Sequence, residues 1–240
     1  LVEVSNLQKL DQLDYLLDCC APDVVVNALS AGKPLPLDPL KTIAMFAVLP
    51  KRLSILCEQR GIRLVQISSD GVFSGARGGY SEADLPDADD VYGVAKFLGE
   101  PFEGNALSLR TSIIGPELRG NSGLLAWFLA QEVRCVAYRR VIFSGLPTNV
   151  LAEVIRDQVL SRPELRGVYH IAGPTISKFD LLQLIAKRYE KQIEFDVNDT
   201  PVSNRSLDAS RFFAVTGYVA PDWSRLVDSM YIYHRSIARI

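Results

Sequence analysis

Apolar residues along this chain recur with two alternating periods. Leu7, Leu10, Leu13, Leu16 and Leu17 follow one another at helical spacing behind Ser5, a residue type that caps helix N-termini, and predict a first helix. Asp23-Val-Val-Val-Asn27 is a short unbroken apolar run, the pattern of a strand covered on both faces. Helical spacing returns from 39 to 60 and stops at Gly61, a C-terminal cap. Leu64-Val-Gln-Ile67 predicts a second strand, 70–90 a polar loop rich in Gly and Asp, the next segment a helix with Tyr92 and Lys96, and 106–111 a third strand. Strands alternating with helices imply right-handed βαβ crossovers and a parallel sheet, hence an α/β fold of the doubly wound, Rossmann type. Ligands bind such sheets beyond the carboxyl ends of the strands. Asn27, Ser68-Ser69 and Arg110-Thr111 all fall at those ends.

The second half reads differently. Gly115, Pro116, Gly120 and Gly123 mark a loop-rich passage. A helix over 124–131, strands over 133–138 and 141–143, a helix opened by Pro147, a strand over 168–171, a helix capped by Ser177 and a strand over 193–197 are expected after it. The expected division is 1–115 and 116–240, the latter a smaller α+β part whose segments can interleave with the first.

Tyr92-Gly-Val-Ala-Lys96 places a phenol and an ammonium one helical turn apart on a single face. A cation beside a phenol favours the phenolate and brings tyrosine toward useful acid/base chemistry. Such a pair recurs by chance; the Ser68-Ser69 hydroxyls at a strand end upstream make it specific, and the trio suits hydride chemistry at a carbonyl. An unperturbed phenol titrates near 10, so reaching neutrality needs about 3 pKa units, or roughly 4 kcal/mol of differential stabilisation.

Composition narrows the partners. The 240 residues carry a net charge of −2 with both signs interspersed, which argues against a nucleic-acid binder. The longest apolar run, 43–50, is far short of the roughly 20 residues needed to span a bilayer, and no secretory leader opens the sequence. Cys19, Cys20, Cys57 and Cys135 show no metal-ligand spacing, so no metal is expected and a reducing cytoplasmic setting is favoured. His170 lies in an apolar run and reads as a strand residue. Asp84, Asp87, Asp89 and Asp90 read as loop and helix-start charges. Gly71, Gly75, Gly78 and Gly79 follow a strand but lead into an acidic loop instead of a helix, so they fail the context of a phosphate-binding turn. With no such turn near the start, the expectation is that the first βαβ portion of a nucleotide-binding sheet is missing from this sequence.

Ser68-Ser-Asp-Gly-Val-Phe-Ser-Gly75, Tyr80-Ser-Glu-Ala-Asp-Leu-Pro86 and Tyr92-Gly-Val-Ala-Lys96-Phe-Leu-Gly-Glu100 together resemble the extended short-chain dehydrogenase/reductases, nearest the dTDP-4-dehydrorhamnose reductase branch. Pro22-Asp-Val-Val-Val-Asn27, Leu109-Arg-Thr-Ser112, Gly145-Leu-Pro-Thr148 and Gly167-Val-Tyr-His170 extend the likeness over most of the chain. The resemblance implies a dinucleotide-binding domain over 1–115, truncated at its N-terminus, and a substrate-binding domain over 116–240. It implies a nicotinamide cofactor, NADP or NAD, and a 4-keto nucleotide-sugar substrate used in making cell-surface polysaccharide sugars. Helices flanking such sheets often pair, so a homodimer is an open expectation.

By motif, Ser69 would bond the substrate carbonyl, Tyr92 would protonate its oxygen, and Lys96 would bond the nicotinamide ribose and depress the Tyr92 pKa. Glu3, Val4, Ala28, Leu29, Ser30 and Ser68 match the stretches along the cofactor, and Asp70 and Ile113 join Ser69 and Tyr92 on the substrate side. Three departures stand out. Phe46 occupies a position where the family often has an asparagine that orders the site. Gly71 replaces a usual tyrosine and widens the sugar pocket, and Ile113 replaces a tryptophan that stacks on the sugar, so the implied substrates extend to related nucleotide-sugars. A nucleotide-sugar epimerase with the same triad and a non-catalytic nucleotide-binding regulatory subunit are the alternatives; Asp70-Gly71 supplies only half of a dehydratase's Asp-Glu pair.

Overall fold

The computed structural model describes residues 11–30, 38–101, 104–118 and 122–238. Ser5, Leu7, Leu10, Glu3, Val4 and Gly120 lie outside the described residues. Four strands form the central sheet: β1 (Val24–Asn27), β2 (Arg63–Ile67), β3 (Ala106–Arg110) and β4 (Gly167–His170). They pair in that order and all in parallel, with Val25 opposite Leu64, Val65 opposite Leu107 and Leu109 opposite Tyr169. Residues 167–170 come from the second half of the chain, so the sheet draws on both halves.

Every residue of β3 is buried because layers cover both faces of the sheet. The largest apolar cluster joins Val65, Leu107 and Leu109 to Phe128, Val150, Val154, Leu181 and Phe212. A second cluster sits on the other face, where Leu17 of α1 (Asp11–Cys20) meets Leu49, Leu53 and Leu56. Polar groups between the strands are satisfied: Asn27 Nδ2 donates to Gln66 Oε1 at 2.8 Å, and Gln66 Nε2 donates to the Ile67 carbonyl at 3.0 Å.

The helical stretch expected over 39–60 has a finer structure. α2 (Pro39–Ile43), capped by Asp38, passes into a π-helical turn, Ala44–Val48, and continues as α3 (Leu49–Gln59). A π turn inserts one residue into the helical ladder. It carries Phe46, which is buried and faces the helix α4 (Val91–Leu98).

Two glycines seat α4. A Cβ at Gly93 would lie 2.2 Å from the Gly71 carbonyl oxygen, and one at Gly99 would lie 1.9 Å from that of Phe46. Without side chains there, α4 packs backbone to backbone between the strand-end turn and the π turn. This is the physical content of glycine one residue after the tyrosine and three after the lysine.

Candidate active site

Ser69 follows β2 and caps a short 3-10 turn, Asp70–Val72; its Oγ accepts from the Gly71 amide at 2.9 Å. The same hydroxyl donates to Asp70 Oδ1 at 3.2 Å and faces the Tyr92 phenol. A Cβ on Gly71 would stand 3.1 Å from Ser69 Oγ and 3.3 Å from Tyr92 Cε1. The glycine therefore leaves room at the junction of the two hydroxyl-bearing side chains.

Asp90 caps α4 by accepting from the Gly93 amide at 2.8 Å, which sets the angle at which Tyr92 enters the site. The Phe46 ring meets the Tyr92 ring edge to face, centroids 5.3 Å apart. Lys96 is buried, sits 5.2 Å from the Phe46 ring centre, and donates to the Ile67 carbonyl at 2.9 Å. Burial pulls its ammonium down to about 8, against the opposing pull of Glu100.

Lys96 together with an oxidised nicotinamide was to draw the Tyr92 phenol toward neutrality; in the chain by itself Tyr92 lies above the ordinary tyrosine value. Burial is the main cause, Asp70 and Asp90 add to it, and Ser69 and Arg205 oppose it. Asp70 is likewise raised by burial, against Arg205, the Ser69 and Ser112 hydroxyls and Lys178.

Arg205 had no signal in the sequence, because it lies far along the chain from Tyr92. The segment around it is fastened to the 75–80 loop: the Asn204 amide donates to the Gly75 carbonyl at 2.7 Å, and the Gly79 amide to Ser206 Oγ at 2.9 Å. Its guanidinium stands 4.0 Å from Asp90, and its Nε is buried without a partner among the described residues.

Behind the site lies an ionic knot. Arg110 Nε and Nη2 fork onto Glu100 at 2.9 and 2.8 Å, and Ser68 Oγ donates to Glu100 at 2.6 Å. Ser68, assigned to the cofactor by motif, thus directs its hydroxyl to Glu100. Arg110 Nη1 lies 3.4 Å from His170 Nε2, while His170 Nδ1 lies 3.0 Å from the Tyr80 carbonyl. Burial and Arg110 push His170 down to about 4, so its neutral ring donates through Nδ1 and accepts through Nε2. The Glu82 carboxylate accepts from the His170 amide at 2.7 Å, tying the long loop to the end of β4. Inside that loop Asp84 and Asp87 accept from Ser81 and Ser74, so these acids organise the turns as well as facing solvent.

The remaining motif residues spread along the sheet's carboxyl edge. Ala28 and Ser30 are exposed after β1, with Leu29 half-buried between them. Ile113 is exposed, in a two-residue strand beside Leu146, next to Ser112.

The sequence pattern of the family described as "RmlD substrate binding domain" matches residues 2–213. The chain belongs to that family. The likeness drawn from the Ser68–Gly75 and Tyr92–Glu100 motifs therefore holds. Among solved structures, the chain is similar to dTDP-4-dehydrorhamnose reductase of Bacillus anthracis in complex with NADP (19% identity, TM-score 0.81, covering 95% of this chain and 86% of that one). It is also similar to WbmG of Bordetella bronchiseptica in complex with NAD and UDP (17%, 0.81, 98% and 79%). These identities show the shared fold, a Rossmann-type parallel sheet. The curated relatives include methionine adenosyltransferase 2 subunit beta of Bos taurus, 27% identical over 232 residues. That match covers 83% of this chain and spans 64% of the relative's length.

Proposed function

We propose that this RmlD-family chain reduces a 4-keto nucleotide-sugar with NADPH or NADH, in the supply of sugars for cell-surface polysaccharide and in the cytoplasm. The observation that carries this reading is the convergence of Ser69, Tyr92 and Lys96 at the carboxyl end of the sheet, joined by Asp70. The site fits a nicotinamide ribose: the Lys96 ammonium directs one N–H to Ile67 and has two more to offer, and Ala28, Leu29 and Ser30 border the same edge. Once bound, the cofactor supplies a hydride. Ser69 orients the substrate carbonyl, and the protonated Tyr92 delivers a proton to its oxygen. A phenol raised by burial stays protonated near pH 7, which is the state an acid needs in the reducing direction. Neighbouring structures crystallised with NADP, or with NAD and UDP, support the cofactor and substrate class.

The test is to supply dTDP-4-keto-6-deoxy-sugars and UDP-4-keto-sugars with NADPH or NADH and follow consumption of the reduced cofactor. Turnover with at least one pair is expected. Failure across the whole panel with folded protein would remove the reductase reading.

A second reading, a non-catalytic subunit of a larger enzyme, is favoured by the likeness to methionine adenosyltransferase 2 subunit beta and by Phe46 and Ile113. Stable co-purification with a methionine adenosyltransferase, together with no turnover, would select it.

Self-association belongs to the same proposal. Val91, Val94 and Leu98 on α4, and Leu40, Ile43, Val48 and Ile55 on the adjoining helical stretch, expose one apolar face on two packed helices. Homodimers are expected in sedimentation, and Val94→Glu is expected to shift the protein to monomer. A wild-type monomer at all concentrations would exclude the pairing.

A further inference from the structure

Lys96 is buried on its own side of the site. Its neighbours there are the Ile67 carbonyl and the Phe46 ring, and Phe46 is 2% exposed. Ser69 Oγ faces Tyr92, receives the Gly71 amide, and passes its own hydrogen to Asp70 Oδ1 at 3.2 Å. The hydroxyl has one proton to donate and two lone pairs to accept with; here the proton is directed to Asp70 and one lone pair takes the Gly71 amide. Beyond Asp70 stands the Ser112 hydroxyl, with Arg205 and Lys178 facing the carboxyl from the second half of the chain.

We propose that the proton Tyr92 gives to the substrate is replaced through Ser69 by Asp70, making Asp70 the relay residue of this site. The inference rests on the reductase reading. The reductant is the reduced nicotinamide, which provides the hydride and both electrons. As the substrate C=O becomes CH–OH, the Tyr92 O–H bond breaks and the new O–H bond forms on the substrate. The Ser69 hydroxyl turns from Asp70 to the phenolate and gives it its proton, and Ser69 Oγ takes the proton of the Asp70 carboxylic acid in the same exchange. Asp70 is left as a carboxylate beside Arg205 and Lys178 and is reprotonated from water past Ser112. The groups that set its titration are Ser69, Ser112, Arg205 and Lys178; those that set Tyr92 are Ser69, Asp70, Asp90 and Arg205. Burial raises Asp70 above the ordinary carboxyl value, in the direction of the acid form that the relay uses.

The experiment has one arm without substrate and one with it. In protein labelled at tyrosine Cζ, the Tyr92 resonance is expected to show, well below its own titration, a second inflection as Asp70 ionises. Asp70→Asn should erase that inflection and bring the phenol's own titration to lower pH, because the neighbouring carboxylate is gone. An inflection that survives in Asp70→Asn, or none in the wild type, overturns the relay.

In the second arm, a dTDP-4-keto-6-deoxy-sugar is reduced with NADPH. Asp70→Asn should lower kcat by about tenfold or more with little change in KM and flatten the pH dependence of kcat, and Asp70→Glu should restore part of both. Wild-type turnover with an unchanged kcat and pH profile in Asp70→Asn overturns the relay and leaves the reductase reading standing. Absence of wild-type turnover counts against the reductase reading, while the coupling between Asp70 and Tyr92 is still decided by the first arm.

Discussion

Tyr92→Phe is expected to lower kcat for nucleotide-sugar reduction by about 10²–10⁴-fold, the usual contribution of a positioned proton donor. That corresponds to about 3–5 kcal/mol of lost transition-state stabilisation. The fold should hardly change. The phenylalanine ring can keep the edge-to-face contact with Phe46, now at 5.3 Å, and Ser69 retains the Gly71 amide and Asp70 as partners. The hydrogen bond removed is worth about 1 kcal/mol net. KM should move little, since the proton is transferred only as the reaction proceeds. Steady-state kinetics beside a thermal melt make the comparison. Undiminished turnover in Tyr92→Phe would take the acid role away from this residue.

The largest effect on stability is expected from Glu100→Ala. Glu100 is fully buried and is forked by Arg110, which is 2% exposed. Removing one partner of such a pair leaves an uncompensated charge in a dry place, a cost of about 3–5 kcal/mol. In a protein of this size the fall in Tm should be on the order of 10 °C. Ser68 also loses its acceptor at 2.6 Å, so the strand end that presents Ser69 loosens. The double variant Glu100→Ala/Arg110→Met should recover much of the loss, because it removes the stranded guanidinium. Denaturant titration of the three variants separates a charge penalty from a cavity: equal losses in the single and double variants would show that the ion pair matters little.

Glu100 also shows how far the chain could be read from its sequence. It belonged to a recognisable motif, and Arg110 stood at the end of a predicted strand, yet nothing in their spacing joined them. Their pairing needs β3 to run beside the end of α4, which is a matter of packing. The helix bearing Tyr92 and Lys96 was legible because helical neighbours i and i+4 meet whatever surrounds them. Ser69 at a strand end was legible for the same local reason. Phe46 was visible as a departure, but the π turn that swings it against Tyr92 and Lys96 was not.

The direction of the Tyr92 shift shows the boundary most clearly. Reasoning along one helix counted the nearest cation, with a bound oxidised nicotinamide, and expected a lowered phenol. The folded site adds burial, two carboxylates and a lysine turned toward a strand carbonyl, and the phenol rises. The chain's own order of residues determined the alternation of strands and helices, the parallel sheet, and the placing of a hydroxyl, a phenol and an ammonium at its carboxyl edge. The tertiary structure alone decided the joining of the strand predicted over 168–171 to the central sheet as its fourth member, the Glu100–Arg110–His170 knot, and the approach of Arg205 and Lys178 to Asp70. Periodicity reports contacts within a few residues, whereas burial and charge at a site are sums over groups brought together from the whole chain.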